Sequence, residues 1–407
     1  MTRFTNLIAG TGAASKAGLF ELHARGPGPG RALGQWPRSG GHEVAAALDG
    51  LDSPGLHLAV GLDQLEAGWR ALVEMAGSTR PGAPPKSAGS NERREPLETG
   101  LDQLHARLGV SRQDANRLLF RGSFTSFGFG ARHLGEKGPV ALFCHWSIPL
   151  NELYAEVADC LFQGRSVVLL PDPALPMAGA AIAQALIVAG LDGARIAVVH
   201  GLDSEGWLAL AEAVDDGRSL HPTGRISVDQ KLELAPYAER SPVLQRLVDG
   251  LGTPRESEWG APAFLREAHT DLAQVRRAAR DLVRAAFGPG HGFGGVAHGA
   301  PLVARIPRPS FSAFTAALVA ELDALQATAN PPLAFLNSTG KPSVRARYDE
   351  LWKAGLDLGA TLVTGGGVSV AGPGGVHLHP GLLVNLAGDS GLFDLGEPLG
   401  VLRLQRA

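Results

Sequence analysis

The most regular hydrophobic pattern in the chain runs from Gly138 to Gly201. Pro139–Cys144 (PVALFC) is a continuous apolar run of strand length. Glu152–Phe162 then places Leu153, Val157, Cys160 and Leu161 at i, i+4, i+7 and i+8, one face of an amphipathic helix, and Gly164 follows as a stop signal. Ser166–Leu170 (SVVLL) reads as a second strand, Ala178–Ala189 as a helix ending at Gly190, and Arg195–Val199 (RIAVV) as a third strand. Strands alternating with helices at this spacing predict a parallel sheet with crossover helices. The strands are apolar on both faces, as a sheet covered on both sides requires.

A second periodic region lies further on. Leu272–Phe287 predicts a helix with Leu272, Val275, Ala279, Leu282 and Ala286 on its apolar face. Arg276, Arg280 and Arg284 line the opposite face, read as solvated and balanced by Asp271 and Asp281 rather than as an anion site. An apolar strand at Pro301–Ile306, helices at Phe311–Leu325 and Val344–Trp352, a strand at Ala360–Val363 and a turn at Gly365–Gly367 complete it. The first 77 residues are less regular: short apolar stretches such as Leu56–Val60 and a helix-like Gln64–Met75 stand between Gly- and Pro-rich turns. Gly77–Pro96 has almost no apolar residue and reads as an exposed loop. Residues 101–119 read as a helix carrying Leu101, Leu104, Leu108 and Val110. No internal repeat is evident.

Composition narrows the class. A chain of 407 residues, 44% hydrophobic, can bury a large core and form about two domains. A net charge of -3 gives no basic excess to neutralise a phosphate backbone, so nucleic acid is not an expected partner. No run of about 18 apolar residues predicts a membrane span, and the N-terminus lacks the apolar core of a signal peptide. The 2 cysteines, Cys144 and Cys160, lie within apolar periodic segments, as buried thiols do, which fits a reducing cytoplasm rather than a disulfide framework.

Seven segments, in order, resemble the aldehyde dehydrogenase superfamily across about 138–404. GPVALFCHWSIPL (Gly138–Leu150) resembles the strand and turn carrying P-W-N-F-P. CLFQGRSVVLLPDPALP (Cys160–Pro176) resembles the next strand with K-P-S-E-x-T-P, and GLDGARIAVVHG (Gly190–Gly201) the strand after it. HPTGRISVDQK (His221–Lys231) resembles F-T-G-S-x-x-x-G, and EWGAP (Glu258–Pro262) resembles E-L-G-G-K-x-P with a two-residue deletion. AAFGPGHGFGG (Ala285–Gly295) resembles F-x-N-x-G-Q-x-C, and DLGEPLGVLRL (Asp394–Leu404) resembles E-E-x-F-G-P-V. Each motif is weak alone; the ordered set is specific.

The resemblance implies a cysteine nucleophile that attacks an aldehyde and a nicotinamide cofactor that takes the hydride. The nucleophile position falls at Phe293, or at Gly294 one residue on, and neither is a nucleophile. Ser147 stands where the family's oxyanion-holding Asn stands; losing such a donor costs about 3 kcal/mol of transition-state stabilisation. Glu258 matches the general base that activates the deacylating water, with a surface glutamate as the plain alternative.

The remnant cofactor positions are Trp146, Asp172, Gly224, Arg225 and Glu397. Leu170 replaces the ribose-binding Lys and Pro173 the Glu that follows it. Asp172 could accept from a ribose hydroxyl or cap a turn. Gly224 retains the first glycine of its motif, but Asp229 replaces the second and sets a negative charge near the pyrophosphate position, which Arg225 would offset. Leu399 replaces a Phe beside Glu397. His291 and His298 flank the lost cysteine without the further ligands a metal site needs.

The expected fold class is α/β: a Rossmann-like parallel-sheet domain (1–255, with 77–96 a flexible loop) and an incomplete catalytic-like α/β domain (256–407). The family continues well past the E-x-F-G-P-V segment, with a strand used in oligomerisation, so Val401, Leu402 and Leu404 are expected at an uncovered sheet edge that a second copy or a longer homologue pairs; the alternative is a monomer whose edge is blocked by Arg403 and Arg406. The expected function is a catalytically degenerate aldehyde dehydrogenase homologue serving as a scaffold or regulatory partner. It binds NAD(P) weakly or not at all and works as a homo-oligomer or with a longer homologue. The alternatives are an NAD(P)-dependent oxidoreductase acting on an aldehyde or oxo group with divergent residues, and a small-molecule binding protein using the old substrate funnel.

Overall fold

A computed structural model describes residues 3–23, 32–51, 59–77, 138–145, 148, 150–173, 175–216, 220–226, 228–251, 263–264, 271–287, 303–326, 342–370, 376–386 and 400–406. They fall into two compact units, one drawn mainly from the chain up to residue 252 and one mainly from residue 253 onward.

In the first unit the elements follow in the order β1 (Asn6–Ile8), β2 (Thr11–Ala13), β3 (Leu19–His23), β4 (Ala32–Pro37), α1 (Gly41–Leu51), α2 (Leu62–Gly77), β5 (Val140–Cys144), α3 (Leu150–Phe162), β6 (Val167–Pro171), α4 (Met177–Val188), β7 (Ile196–Val198), α5 (Ser204–Asp215), β8 (His221–Gly224), α6 (Val228–Ala238) and α7 (Pro242–Gly250). A six-stranded sheet has the order β2-β1-β7-β6-β5-β8. Its β5, β6, β7 and β8 are parallel, with Val140 opposite both Val167 and His221, while β1 runs antiparallel to β7 and β2. The expected parallel sheet is present, and its strands and helices begin and end within about two residues of their predicted bounds.

Two-residue alternation sorts the strand side chains between two helical layers. Ala141 and Phe143, Val168 and Leu170, and Ala197 and Val199 share a buried core with Val44 and Leu48 of α1, Trp207 of α5 and Leu247 of α7. The Phe143 and Trp207 rings stack at 5.2 Å. The other face is covered by α3 and α4, with α2 packed on both. There the buried Tyr154 of α3 donates its hydroxyl to the Leu65 carbonyl at 2.5 Å and packs against Trp69, tying α2 down. The predicted stripe Leu153, Val157, Cys160 and Leu161 is fully buried. The helix-like Gln64–Met75 is the centre of α2, whereas β1 to β4 and α1 carry no pattern that distinguished them from turns. The expected helix at 101–119 lies outside the described residues, as does all but the first residue of the 77–96 loop.

The second unit contains β9 (Ala263–Phe264), α8 (Leu272–Phe287), β10 (Val303–Ile306), α9 (Phe311–Gln326), α10 (Pro342–Asp357), β11 (Thr361–Thr364), β12 (Val368–Val370), β13 (Val376–Leu378), β14 (Gly381–Val384) and β15 (Val401–Arg406). Its five-stranded sheet has the order β11-β14-β15-β10-β9. Helices α8 and α9 share a core with β10, β14 and β15, built on Val275, Ala279, Phe287, Phe314 and Leu318. Leu272, expected on that face, is 51% exposed instead, because it opens the helix beyond the reach of the sheet. Arg280, expected to be balanced by the acids of its own helix, pairs with Glu321 of α9 at 3.2 Å.

The structure overturns the expectation of an uncovered edge at Val401–Leu404. β15 is the middle strand, paired in parallel with β14 on one side and β10 on the other. Val401, Leu402, Arg403 and Leu404 are all buried, so Arg403 cannot block an edge, and Arg406 lies 4.8 Å over the Phe311 ring. The edge strands of this sheet among the described residues are β9 and β11; β11 runs antiparallel to β14 and carries exposed Leu362 and Val363. No helix among the described residues is long and apolar enough to cross a membrane.

Candidate functional site

In a parallel α/β sheet, ligands bind beyond the carboxyl ends of the strands where neighbouring connections leave in opposite directions. Here that point lies between β5 and β8: the chain moves from β5 to β6 and β7 on one side, then crosses to place β8 on the other. The end of β5 gathers the polar residues. Asp172, just past β6, donates its backbone N–H to the Cys144 carbonyl at 3.0 Å. Arg225, just past β8, donates its N–H to the Phe143 carbonyl at 3.2 Å. Successive carbonyls of β5 therefore hold the two residues on opposite flanks, about 10 Å apart at two inter-strand spacings.

Asp172 is buried and Arg225 half-buried. His145 is buried just past β5, the strand between β6 and β8. Gly224 has a left-handed φ of 91° and faces the β5 backbone: a Cβ there would lie 2.3 Å from the Phe143 carbonyl oxygen. This glycine is required by the close approach of β8 to β5, independently of any bound phosphate.

Helix starts complete the crevice. α3 opens at Leu150 with Glu152 in its first turn. An acid at this position occupies the favourable field of the helix N-terminus that an incoming phosphate would use. Leu170, in the place expected for a ribose-binding Lys, is buried in the core with Phe143 and Trp207 and offers no cation. Among the described residues, the crevice supplies one buried acid, Asp172, and one half-buried Arg, Arg225.

The structure thus brings Asp172, Gly224 and Arg225 together around the end of β5. Trp146, Ser147, Glu258, Phe293 and Glu397 lie outside the described residues, as do His291 and His298. Among the described residues no group of three His, Cys, Asp or Glu side chains could hold a metal ion. Sequence reading passed over His145 and His200; each interrupts an apolar run at the carboxyl end of a strand, which was the available signal.

No protein-family model matches the chain. Two curated relatives do, both 2-hydroxymuconic semialdehyde dehydrogenases. That of Pseudomonas putida is 26% identical over 273 residues, covering 65% of this chain and 52% of the relative. That of Pseudomonas sp. (strain CF600) is 26% identical over 255 residues, covering 62% and 49%. The chain spans about half the length of the curated relatives it matches. Among solved structures, aldehyde dehydrogenase KauB from Pseudomonas aeruginosa superposes with a TM-score of 0.66 at 17% identity, over 99% of this chain and 79% of that one. The NAD-dependent aldehyde dehydrogenase of Sinorhizobium meliloti gives 0.64 at 14% identity, over 100% and 78%. Sequence and fold agree on one family. Both likenesses, at low identity, point to the aldehyde dehydrogenase superfamily.

For an aldehyde dehydrogenase homologue, the cysteines are the decisive residues. Cys144 closes β5 and Cys160 lies on the buried stripe of α3, and both are free thiols inside the first unit. Burial pushes the Cys144 thiol far above its ordinary range, and the nearby Glu156 and Asp172 carboxylates add to this. Burial raises Cys160 to about 12 despite the opposing charge of Arg165. Neither is a thiolate at neutral pH, and the thiolate is the nucleophilic form.

Proposed function

We propose that the chain is a catalytically degenerate aldehyde dehydrogenase homologue that serves as a scaffold or regulatory partner, as a homo-oligomer or in a complex with a longer homologue. The observation that carries this reading is that the 2 cysteines of the sequence are both buried in the sheet unit, one in β5 and one in α3. With Phe293 at the nucleophile position, no thiol remains for attack on a carbonyl, and Glu258 has no acyl-enzyme to hydrolyse. In this reading the first unit corresponds to the cofactor domain and the second to the catalytic domain.

NAD(P) binding is weak or absent on the same grounds. Glu152 at the start of α3 opposes a pyrophosphate, and Leu170 lends no charge to a ribose. Calorimetric titration with NAD and NADP tests it: no saturable heat is expected at ligand concentrations up to about 1 mM, a bound of roughly 4 kcal/mol. Low-micromolar binding lost on Asp172→Ala or Arg225→Ala would favour the rival reading, an NAD(P)-dependent oxidoreductase with divergent residues. Asp172 and Arg225 flanking the strand crossover are the observation that keeps that rival in view.

A further inference from the structure

Beyond the crevice, one cluster in the first unit is buried, polar and incompletely satisfied. His200, two residues past β7, is fully buried, and so are Asn6 of β1, Trp36 of β4 and Ser39. The Asn6 amide joins them: its oxygen accepts from the His200 backbone N–H at 2.9 Å and its nitrogen donates to the Ser39 hydroxyl at 2.9 Å. Ser39 then donates its N–H to the Gly201 carbonyl at 3.1 Å and accepts from the Asp203 N–H at 3.0 Å. The imidazole meets the edge of Trp36 at 4.9 Å, and Trp36 stacks on Phe4 at 3.9 Å. These few residues tie β1 and β4 to the segment that follows β7.

Neither ring nitrogen of His200 has a hydrogen-bond partner, and neither has the Trp36 indole nitrogen. Charged residues stand on the adjoining segments without reaching the ring. Arg38 follows β4 and is exposed; Asp203 is engaged as the cap of α5, accepting from the Gly206 N–H at 2.8 Å. Asp172 lies beyond the end of β6. Burial alone depresses His200, to about 3. A cation at this position would have no counter-charge and no acceptor for its added N–H, which is the costly case for a buried ion.

We propose that His200 is a proton-sensitive latch: while neutral it lets β1 and β4 seat against the sheet, and on protonation it releases them. In the released state the imidazole is hydrated and takes up a proton near its ordinary value of about 6.5. Below that pH the released form binds the proton and the docked form does not, so docking weakens as pH falls from about 6.5 toward the folded value near 3. At pH 7.5 the latch is closed; at pH 5 the docking equilibrium is weaker by about 30-fold.

Amide hydrogen exchange of the full chain at pH 7.5 and pH 5, corrected for intrinsic rates, reads this directly. Protection of residues 3–8 and 32–39 is expected to fall by tenfold or more, on the order of the equilibrium shift, while α3 and α4 keep theirs. His200→Phe retains an aromatic ring and cannot titrate, so its protection should hold across the same range. Equal protection of the wild-type segments at both pH values would overturn the proposal. So would a loss that persists unchanged in His200→Phe. Should that variant fail to fold, the imidazole proton resonances of the wild-type chain decide: a histidine that titrates near 6.5 while both strands stay protected contradicts the latch if it is His200, identified by its contacts to Trp36.

Discussion

Replacing Gly224 with Ala separates two roles that one residue could hold. A glycine kept only for a cofactor would tolerate a methyl group without loss of stability. The structure sets it against the β5 backbone at a left-handed φ, with 2.3 Å left between a new Cβ and the Phe143 carbonyl oxygen. Gly224→Ala should therefore cost about 3 kcal/mol of stability in urea unfolding, from left-handed strain and from pushing β8 away from β5. An unchanged midpoint would return the residue to the cofactor. The cysteines give a second test at this scale. Native Cys144 and Cys160 should react with a thiol reagent at pH 7.5 at least about two orders of magnitude more slowly than in the unfolded chain, because the thiolate fraction drops about tenfold per pKa unit. Rapid labelling of either in the folded chain would identify a functional thiol. Their burial was legible in the sequence, since each sat inside an apolar run. The role of Gly224 was not, because a close approach between two strands leaves no mark on the residues flanking it.

At the scale of elements, the sequence announced those whose burial is regular. β5, β6 and β7 are buried on both faces, and α3 and α8 carry continuous apolar stripes, so their residues repeat with the period of the element. β2 and β4 (TGA and ALGQWP) are short, rich in small residues and held by local hairpin pairing, which no periodicity reports. The place of β15 was misjudged for a related reason: an apolar strand shows that it is buried, not which neighbours bury it, and β14 and β10 enclose it. The edge strand β11 is where an association surface should be sought. Leu356, Leu358, Leu362 and Val363 are exposed within eight residues of one another, a density that a solvated edge avoids. If the chain self-associates through this edge, Leu362→Lys with Val363→Glu should lower the mass measured by light scattering to that of the monomer. An oligomer of unchanged mass would exclude β11 as the contact.

For the whole molecule, the proposal is that fold and chemistry have separated. The described elements reproduce the aldehyde dehydrogenase architecture with TM-scores of 0.64 and 0.66, and architecture alone does not fix activity. The packing that holds the described elements is apolar: the strand cores, the Phe143–Trp207 stack and the helix pair α8–α9. The proposed change is chemical: both cysteines are buried, Glu152 sits in the first turn of α3, and Leu170 stands where the resemblance places a ribose-binding Lys. Of the candidate site residues, Asp172, Gly224 and Arg225 lie among the described ones, and their place follows from strand order. A buried histidine such as His200 could be located only once its neighbours in space were known.

The most direct test of this account is a dehydrogenase assay on the purified chain. It would follow NAD(P)H absorbance with short aliphatic, aromatic and semialdehyde substrates at saturating NAD and NADP. The account predicts no cofactor reduction above the enzyme-free background with any of them, and no change on Glu258→Ala. Reduction that saturates with aldehyde and disappears in Glu258→Ala would contradict it, because that result requires an acyl intermediate which neither Cys144 nor Cys160 is placed to form.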